Sequence, residues 1–352
     1  MEQLMANRFR VLAELGRGGM GTVYRVEDTL HGDRLVALKT IQMQGASTPE
    51  LKLRFQEEFR AMAKLKHPNT VEVFDYGLLD AQTRYLTMEI VAGKDLAQLL
   101  RSGPLSLERV YGLLIQLLQA LGFIHSRLYV HRDIKADNIR ITEDGTLKLM
   151  DFGLMEQLGI PSNGKLTGTP GYLPPEVPKG GVINASSDLY SVGCLAFEML
   201  TGQLPFTGSV VEVIKAHINQ APPSLRSLRP DVPEALAALV NRLLSKNQAM
   251  RYQEASEVIA DLADLAGLRV RSENLAQKRS YLMSSALVGR DQELAMLETA
   301  FTECLEGQGR AVFVGAPAGV GKSRLVHELN LHAKLADVPV LHGQCLETGM
   351  EP

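Results

Sequence analysis

A chain of 352 residues with 45% hydrophobic content is long enough for two or three domains with buried cores. Its 37 basic and 40 acidic side chains give a net charge of −3, which argues against a general nucleic-acid binder or a membrane-surface protein. Cys194, Cys304 and Cys345 are far apart and form no CxxC pair, so a reducing, cytoplasmic setting without disulfides or zinc is expected.

The opening MEQLMANRFR lacks the apolar centre of a signal peptide, and no run of about 18 apolar residues is expected to span a membrane. From Arg8 to Glu89 the pattern is strand-rich, with strands predicted over Phe9–Leu15, Thr22–Glu27, Leu35–Ile41, Val71–Gly77 and Tyr85–Glu89. One helix interrupts them. It begins near Pro49, repeats apolar residues at Leu51, Phe55, Met62 and Leu65, and stops at His67-Pro68-Asn69. From Asp95 to about Ala266 helices dominate, at Leu107–His125, Asp188–Leu200, Pro233–Leu244 and Ala255–Ala266. Strand-rich followed by helix-rich text predicts an α+β protein of two lobes, with ligands bound in the cleft between them. Residues 267–285 read as a polar, basic linker. A third unit follows over 286–352: a helix at Gln292–Leu305, a buried strand at Ala311–Val314, a Gly-rich turn, a helix from Lys322 and a strand from Val338 to Gly343.

The densest chemistry lies in His131-Arg132-Asp133-Ile134-Lys135-Ala136-Asp137-Asn138, followed by Asp151-Phe152-Gly153. Between them, Ile139 to Met150 reads as two short strands around Glu143-Asp144-Gly145. Such a hairpin brings its ends together, so Asp133, Lys135, Asn138 and Asp151 can converge on one point. A carboxylate to orient a hydroxyl, a lysine for a moving phosphate, and an Asn and an Asp for magnesium suit phosphoryl transfer. Upstream, Gly16-Arg17-Gly18-Gly19-Met20-Gly21-Thr22-Val23 fits GxGxxGxV. The three glycines alone are a weak signal and could mark only a tight turn. Placed between two strands and ahead of Val36-Ala37-Leu38-Lys39, Gly16, Gly18 and Gly21 let backbone approach phosphates, and Val23 can pack on a flat base. Lys39 sits in an apolar strand. If it points inward it needs a partner, because an unpaired buried ammonium is costly. Glu58 on the following helix lies on the inward face with Phe55 and Met62, whereas its neighbour Glu57 is expected in solvent.

These motifs, GRGGMG, VALK, the helix glutamate, HRDIKADN, DFG and a PPE where the family has APE, occur in order at the right spacing. The segment from about Phe9 to Ala266 resembles a eukaryotic-type Ser/Thr protein kinase domain of the kind common in bacteria. The resemblance implies the two-lobed kinase fold over residues 8–266, with lobes at 8–89 and 94–266. It implies ATP and Mg2+ as the bound groups, in bacterial-type signalling. Lys39 would contact the α- and β-phosphates, held by Glu58. Asn138 and Asp151 would bind Mg2+, Asp133 would orient the substrate hydroxyl, and Lys135 would steady the γ-phosphate. Ala37, the gatekeeper Met88 and the hinge from Glu89 to Val91 would enclose adenine. Lys135 with Thr169 resembles the Ser/Thr class rather than the Tyr class, so the implied partners are protein substrates. Glu176 would pair with Arg251, Asp188 would hold the catalytic-loop backbone, and His125, His131 and Cys194 would be core. Arg132 beside Asp133 implies a pocket that a phosphate could fill, with autophosphorylation expected at Ser162 or Thr167. Thr169 reads as a structural threonine on the substrate side.

In the third unit, Gly315-Ala316-Pro317-Ala318-Gly319-Val320-Gly321-Lys322-Ser323 follows an apolar stretch and opens a helix. That is P-loop context: backbone N–H groups and a helix N-terminus for phosphate, with Gly319, Gly321, Lys322 and Ser323 as binding residues. The strict GxxxxGK[ST] pattern is missed by one place, since Ala316 stands where its first Gly falls. The stretch from Leu287 to Leu325 resembles the start of a STAND/AAA-type ATPase module. No apolar strand ending in Asp follows Ser323, so a fragment of a longer protein or a short remnant is expected. Other readings are a pseudokinase scaffold, which loss of Lys39, Asp133 or Asp151 would have favoured; an ATP-switched signalling or transcription regulator dominated by the P-loop; and a small-molecule kinase, against which the GT and PPE segments argue. No nucleic acid or membrane partner is expected.

Overall fold

The computed structural model describes residues 4–18, 21–42, 66–80, 83–151, 155–159, 162, 168–267 and 290–316, with 322, 325, 326, 329, 333 and 338. The chain divides into two compact units, Met1–Ser280 and Tyr281–Pro352.

The first unit opens with a five-stranded antiparallel sheet. Its strands are β1 (Phe9–Gly18), β2 (Gly21–Asp28), β3 (Arg34–Gln42), β4 (Val73–Leu78) and β5 (Thr83–Met88), in the order β1-β2-β3-β5-β4. Alternation puts Phe9, Val26, Val36, Leu38 and Tyr85 on one face, where they form a buried cluster. Phe9 and Tyr85 meet edge to face at 5.1 Å. Burying a side chain such as Phe9 is worth about 1.5–3 kcal/mol. The strand expected from Val71 begins at Val73 instead. Residues 69–71 are committed elsewhere: Val71 N donates to Leu149 O at 2.9 Å and Leu149 N to Asn69 O at 2.8 Å. The helix expected around Glu58 lies outside the described residues.

The second half of this unit is helical. Short β6 (Lys94–Asp95) leads to α1 (Leu96–Leu100) and α2 (Leu107–Ser126). After β7 (Tyr129–Val130), β8 (Ile139–Ile141) and β9 (Leu147–Leu149) form the expected hairpin, extended by β6 into a three-stranded sheet. A two-residue strand, β10 (Glu156–Gln157), pairs with β7. Then come α3 (Ala185–Thr201), α4 (Val210–Asn219), α5 (Leu225–Leu228), α6 (Glu234–Leu243) and α7 (Ala255–Ala266). By length and composition α2 is apolar enough to cross a membrane, contrary to the expectation that no segment is. Its apolar residues instead pack against α3, α7 and β9. The central helix α3 is buried on nearly every side. Asn184 caps it, accepting from Ser186 N at 3.0 Å, while Ser187 Oγ accepts from Asn184 N at 3.2 Å. Such a cap is worth about 1 kcal/mol.

In the second unit, α8 (Asp291–Leu305) is a regular helix, with Leu297 on its buried side and Arg290 paired to Glu293 at 2.7 Å. The buried strand expected at Ala311–Val314 is not formed. Among the described residues, 311–316 join no sheet, and Phe313 is 95% exposed. An apolar run becomes a buried strand only when neighbouring strands take up its backbone groups, and among the described residues none pairs with it. Lys322, Leu325, Val326, Leu329 and Ala333 are helical, with Leu325 and Ala333 buried, so the helix after the Gly-rich turn is present. Lys322 Nζ donates to the carbonyl of Ala316. Val338 lies in no strand, and 339–343 fall outside the described residues, as do Gly319, Gly321 and Ser323.

Candidate active site

Residues 131–138 run from β7 to β8 and are shaped by a carboxylate far along the chain. Asp188, in the first turn of α3, is 1% exposed. Its Oδ2 accepts from His131 N at 2.8 Å and its Oδ1 from Arg132 N at 2.9 Å. His125 Nε2 lies 2.8 Å from Oδ2. Burial pushes this carboxyl up, but the His125 hydrogen bond and charge, with the hydrogen bond from the His131 amide, outweigh it and leave the group below the usual carboxylate range. These bonds hold Arg132 at φ +69°, a left-handed backbone that a long side chain rarely adopts and that costs on the order of 1–3 kcal/mol. His131 is fully buried. Burial pushes its pKa down, so the ring is neutral; Nε2 faces Met150 O at 3.1 Å, and Nδ1 faces Asp133 N at 3.4 Å. It is wedged in place, as a core residue.

The loop then brings its polar side chains together around Asp133, which is 7% exposed. Asn138 Nδ2 donates to Asp133 Oδ2 and to the Asp133 carbonyl, both at 2.8 Å. Lys135 Nζ pairs with Oδ2 at 2.9 Å, and Thr169 Oγ1 donates to Oδ1 at 2.8 Å. Lys135 Nζ also reaches Thr169 Oγ1 at 2.9 Å, closing a triangle. The hairpin does its expected work: Met150 N donates to Asn138 O at 2.8 Å, tying the second end of the hairpin to the loop. Asp151 follows at φ +55°, a conformation that Asp tolerates better than most residues.

From the sheet, Lys39 reaches Asp151 Oδ1 at 2.6 Å. This pairing satisfies an ammonium whose side chain is only 10% exposed. Glu58, the partner expected for Lys39, is among the residues not described. Around Lys39 the register sets Val23 opposite it and Ala37 opposite Met88; Ala37, Met88 and Val91 are buried and Val23 half-buried. Gly21, at φ +147°, cannot be replaced: a Cβ there would lie 1.7 Å from Thr40 O. At Gly16 a Cβ would meet no atom of the described residues within 4 Å. Glu89 is a brace. Its carboxylate accepts from Glu72 N at 2.8 Å and pairs with Lys148 at 2.8 Å, and its N–H donates to Glu72 O at 2.9 Å. An adenine edge would therefore be read by other backbone groups of residues 89–91.

A protein kinase domain model matches residues 9–261. The chain belongs to the protein kinase family. It is 37% identical over 276 residues to the probable serine/threonine-protein kinase PknB of Lactococcus lactis, covering 77% of this chain and 44% of that protein. It is 32% identical over 298 residues to serine/threonine-protein kinase PrkC of Bacillus subtilis (83% and 46%), and 35% identical over 298 residues to serine/threonine-protein kinase pkn3 of Myxococcus xanthus (80% and 54%). The chain thus spans about half the length of these curated relatives. Residues 286–351 match an AAA ATPase domain model.

In this kinase domain the segment from Asp151 to Glu176 is anchored at its far end. Arg251, 1% exposed, forms two bonds of 2.9 Å to the Glu176 carboxylate and donates further to the carbonyls of Ser245, Ser186 and Lys246. Tyr172 donates to Glu198 Oε2 at 2.5 Å, and burial pushes its hydroxyl pKa up. Ser162, one expected phosphate acceptor, is buried with its hydroxyl donated to Val177 O at 3.0 Å. Thr167, the other, lies outside the described residues. Cys194 is fully buried, and burial pushes its thiol up and out of reactivity.

Thr169, expected beside Lys135 and as a structural threonine on the substrate side, binds both Asp133 and Lys135 through its hydroxyl. One further participant went unread in the sequence. Glu156, three residues past the DFG aspartate-phenylalanine-glycine run, pairs with Arg132. No periodicity marks Glu156; only its contact with the catalytic loop in space reveals it.

Proposed function

We propose that this chain is an ATP-dependent protein serine/threonine kinase that transfers the γ-phosphate of ATP to Ser or Thr hydroxyls of proteins in bacterial-type signalling. The observation that carries it is the Asp133–Lys135–Thr169 triangle. In it a threonine hydroxyl already donates to the Asp133 carboxylate at 2.8 Å beside a lysine ammonium. A substrate hydroxyl donating to the same carboxylate is oriented for attack. Its oxygen bonds to the γ-phosphorus, the bond to the β,γ-bridging oxygen breaks, ADP leaves, and Asp133 takes the proton. Lys135 offsets charge on the phosphoryl oxygens, and Lys39 holds the α- and β-phosphates.

The residues fit magnesium. Asn138, whose amide nitrogen donates to Asp133, and Asp151, whose carboxylate pairs with Lys39, both carry side-chain oxygens in the cleft. Hard oxygen donors of this kind suit Mg2+, which when bound neutralises phosphate charge. Gly16, Gly18, Gly21, Val23, Ala37, Met88 and Val91 would line the nucleotide side. A cytoplasmic location goes with this reading.

The test is transfer of label from γ-labelled ATP, with magnesium, to the chain itself and to a generic basic protein. Label on Ser or Thr that disappears in Asp133→Asn supports the reading. Nucleotide binding with no transfer by wild type would overturn it in favour of a binding module.

A further inference from the structure

The Arg132 side chain is 11% exposed and paired with the Glu156 carboxylate. Backbone pairing puts the two within reach: Glu156 of β10 stands opposite Val130 of β7, and Leu158 N donates to Leu128 O at 2.8 Å. On the other side of the same residue, the chain passes so close at Gly168 that a Cβ there would sit 3.1 Å from Arg132 O. The next residue is Thr169, which holds Asp133. Arg132 is therefore gripped by three parts of the chain: Asp188 on its amide, residue 168 against its carbonyl and Glu156 on its guanidinium. Burial disfavours the charged guanidinium and the nearby Asp188 carboxylate opposes that, while the carboxylate in direct contact with the guanidinium is that of Glu156. A phosphorylated residue is one way to supply such an anion. Here a genetically encoded carboxylate stands in the position, while Ser162 has its hydroxyl buried on Val177 O.

We propose that Glu156 is a positioning residue that holds Arg132, and through it the catalytic loop, so that the kinase is set for turnover without a phosphate on the 151–176 segment. The proposal rests on the kinase reading above and goes beyond it. It concerns a fixed charge within β10, in a strand pair that the fold itself closes.

The experiment uses the full chain. Wild type is treated with a protein phosphatase, and Thr167→Val is made in parallel to remove that acceptor. Both should keep kcat within about twofold. Glu156→Gln should lower kcat about tenfold, roughly one 1.36 kcal/mol step in the barrier, with KM for ATP changed less than about threefold. Glu156→Asp, which restores the charge, should recover most of that loss. Hydrogen exchange at the His131 and Arg132 amides should quicken in Glu156→Gln and not in Glu156→Asp, and this readout does not require activity. Wild-type kcat in Glu156→Gln, or a tenfold loss on dephosphorylation of wild type, would overturn the proposal. So would unchanged exchange in Glu156→Gln. An inactive wild type whose exchange still responds to Glu156→Gln would instead sink the kinase reading and leave the positioning contact standing.

Discussion

Two lysines in this chain follow glycine-rich turns and were both expected to meet phosphate, and they are built differently. Lys39 projects from the third strand of a five-stranded sheet, is 8% exposed and bonds a carboxylate, Asp151, from 112 positions away. Lys322 follows residues 311–316, which join no sheet among the described residues, and its ammonium bonds the backbone carbonyl of Ala316, six residues back. A phosphate site is more than a glycine turn and a lysine. It needs a sheet to fix the backbone and a distant anion to aim the ammonium before ligand arrives, so that little ordering remains to be done on binding.

The largest effect that would break this contrast is at the first lysine. Lys39→Met and Asp151→Asn should each lower phosphotransfer by about 100-fold or more while the chain stays folded, measured by labelled transfer and circular dichroism. Activity within a few-fold of wild type would mean that the Lys39–Asp151 pair is not the organising contact.

Next in size is the anchor of the segment that carries Thr169. Glu176→Gln leaves the Arg251 guanidinium buried against a neutral amide and should cost about 3–5 kcal/mol, read as a lower denaturant midpoint at unchanged slope. A loss below about 1 kcal/mol would show that the carbonyls around Arg251 suffice without the carboxylate.

A pH profile sharpens the comparison further, because the buried histidines belong to the kinase unit. Burial pushes His67 and His217 down to about 4 from 6.5, with Lys148 and Lys246 respectively adding to the shift. The unfolded chain therefore binds the extra protons between about pH 6.5 and 4. Stability is full above that window and falls as pH drops through it, by on the order of 3 kcal/mol per histidine. Denaturation at pH 7.5, 5.5 and 4.5 should show the decline; a flat profile would mean that neither ring is held neutral. Asp28, lowered to about 2 by the Arg8 hydrogen bonds against the cost of burial, with help from His31, loses its contribution only further down, from about pH 3.8 toward 2.

The smallest effect is expected at the second lysine. Lys322→Ala should leave ATP turnover and protein phosphorylation within about twofold of wild type, since its ammonium bonds a nearby backbone carbonyl whereas Lys39 is aimed by the distant carboxylate of Asp151. A large loss in a folded protein would make the second unit catalytic or regulatory and dissolve the contrast.

Much of the kinase unit was legible because its patterns are local. Helix α7 runs over the predicted Ala255–Ala266, since an apolar stripe ends on Gly267 at φ +63°, a stop signal visible in the sequence. The hairpin of β8 and β9 was marked by Glu143-Asp144-Gly145, and the buried pairing of Glu176 with Arg251 followed from the resemblance. Contacts set by tertiary closure were not legible. Val71 looks like a strand residue, but its amide is taken by Leu149. The apolar text of Ala311–Val314 looks like a buried strand, but among the described residues it joins no sheet, because strand burial is set by pairing partners and not by local pattern. The length and hydropathy of α2 match a membrane span, yet its surroundings make it a core helix.

Asp188 lies 57 positions after the amide of His131 that it binds. At a synthesis rate of roughly 5–20 residues per second, the ribosome completes the catalytic loop at Asn138 about 2.5–10 seconds before it makes the residue that gives the loop its shape. Throughout that interval the nascent chain already carries Lys39, Asp133 and Asn138, but has nothing to hold Arg132 in its left-handed turn. Completion of the helical lobe thus acts as a timer: no partial chain ending before Asp188 can present a formed catalytic loop to proteins near the ribosome.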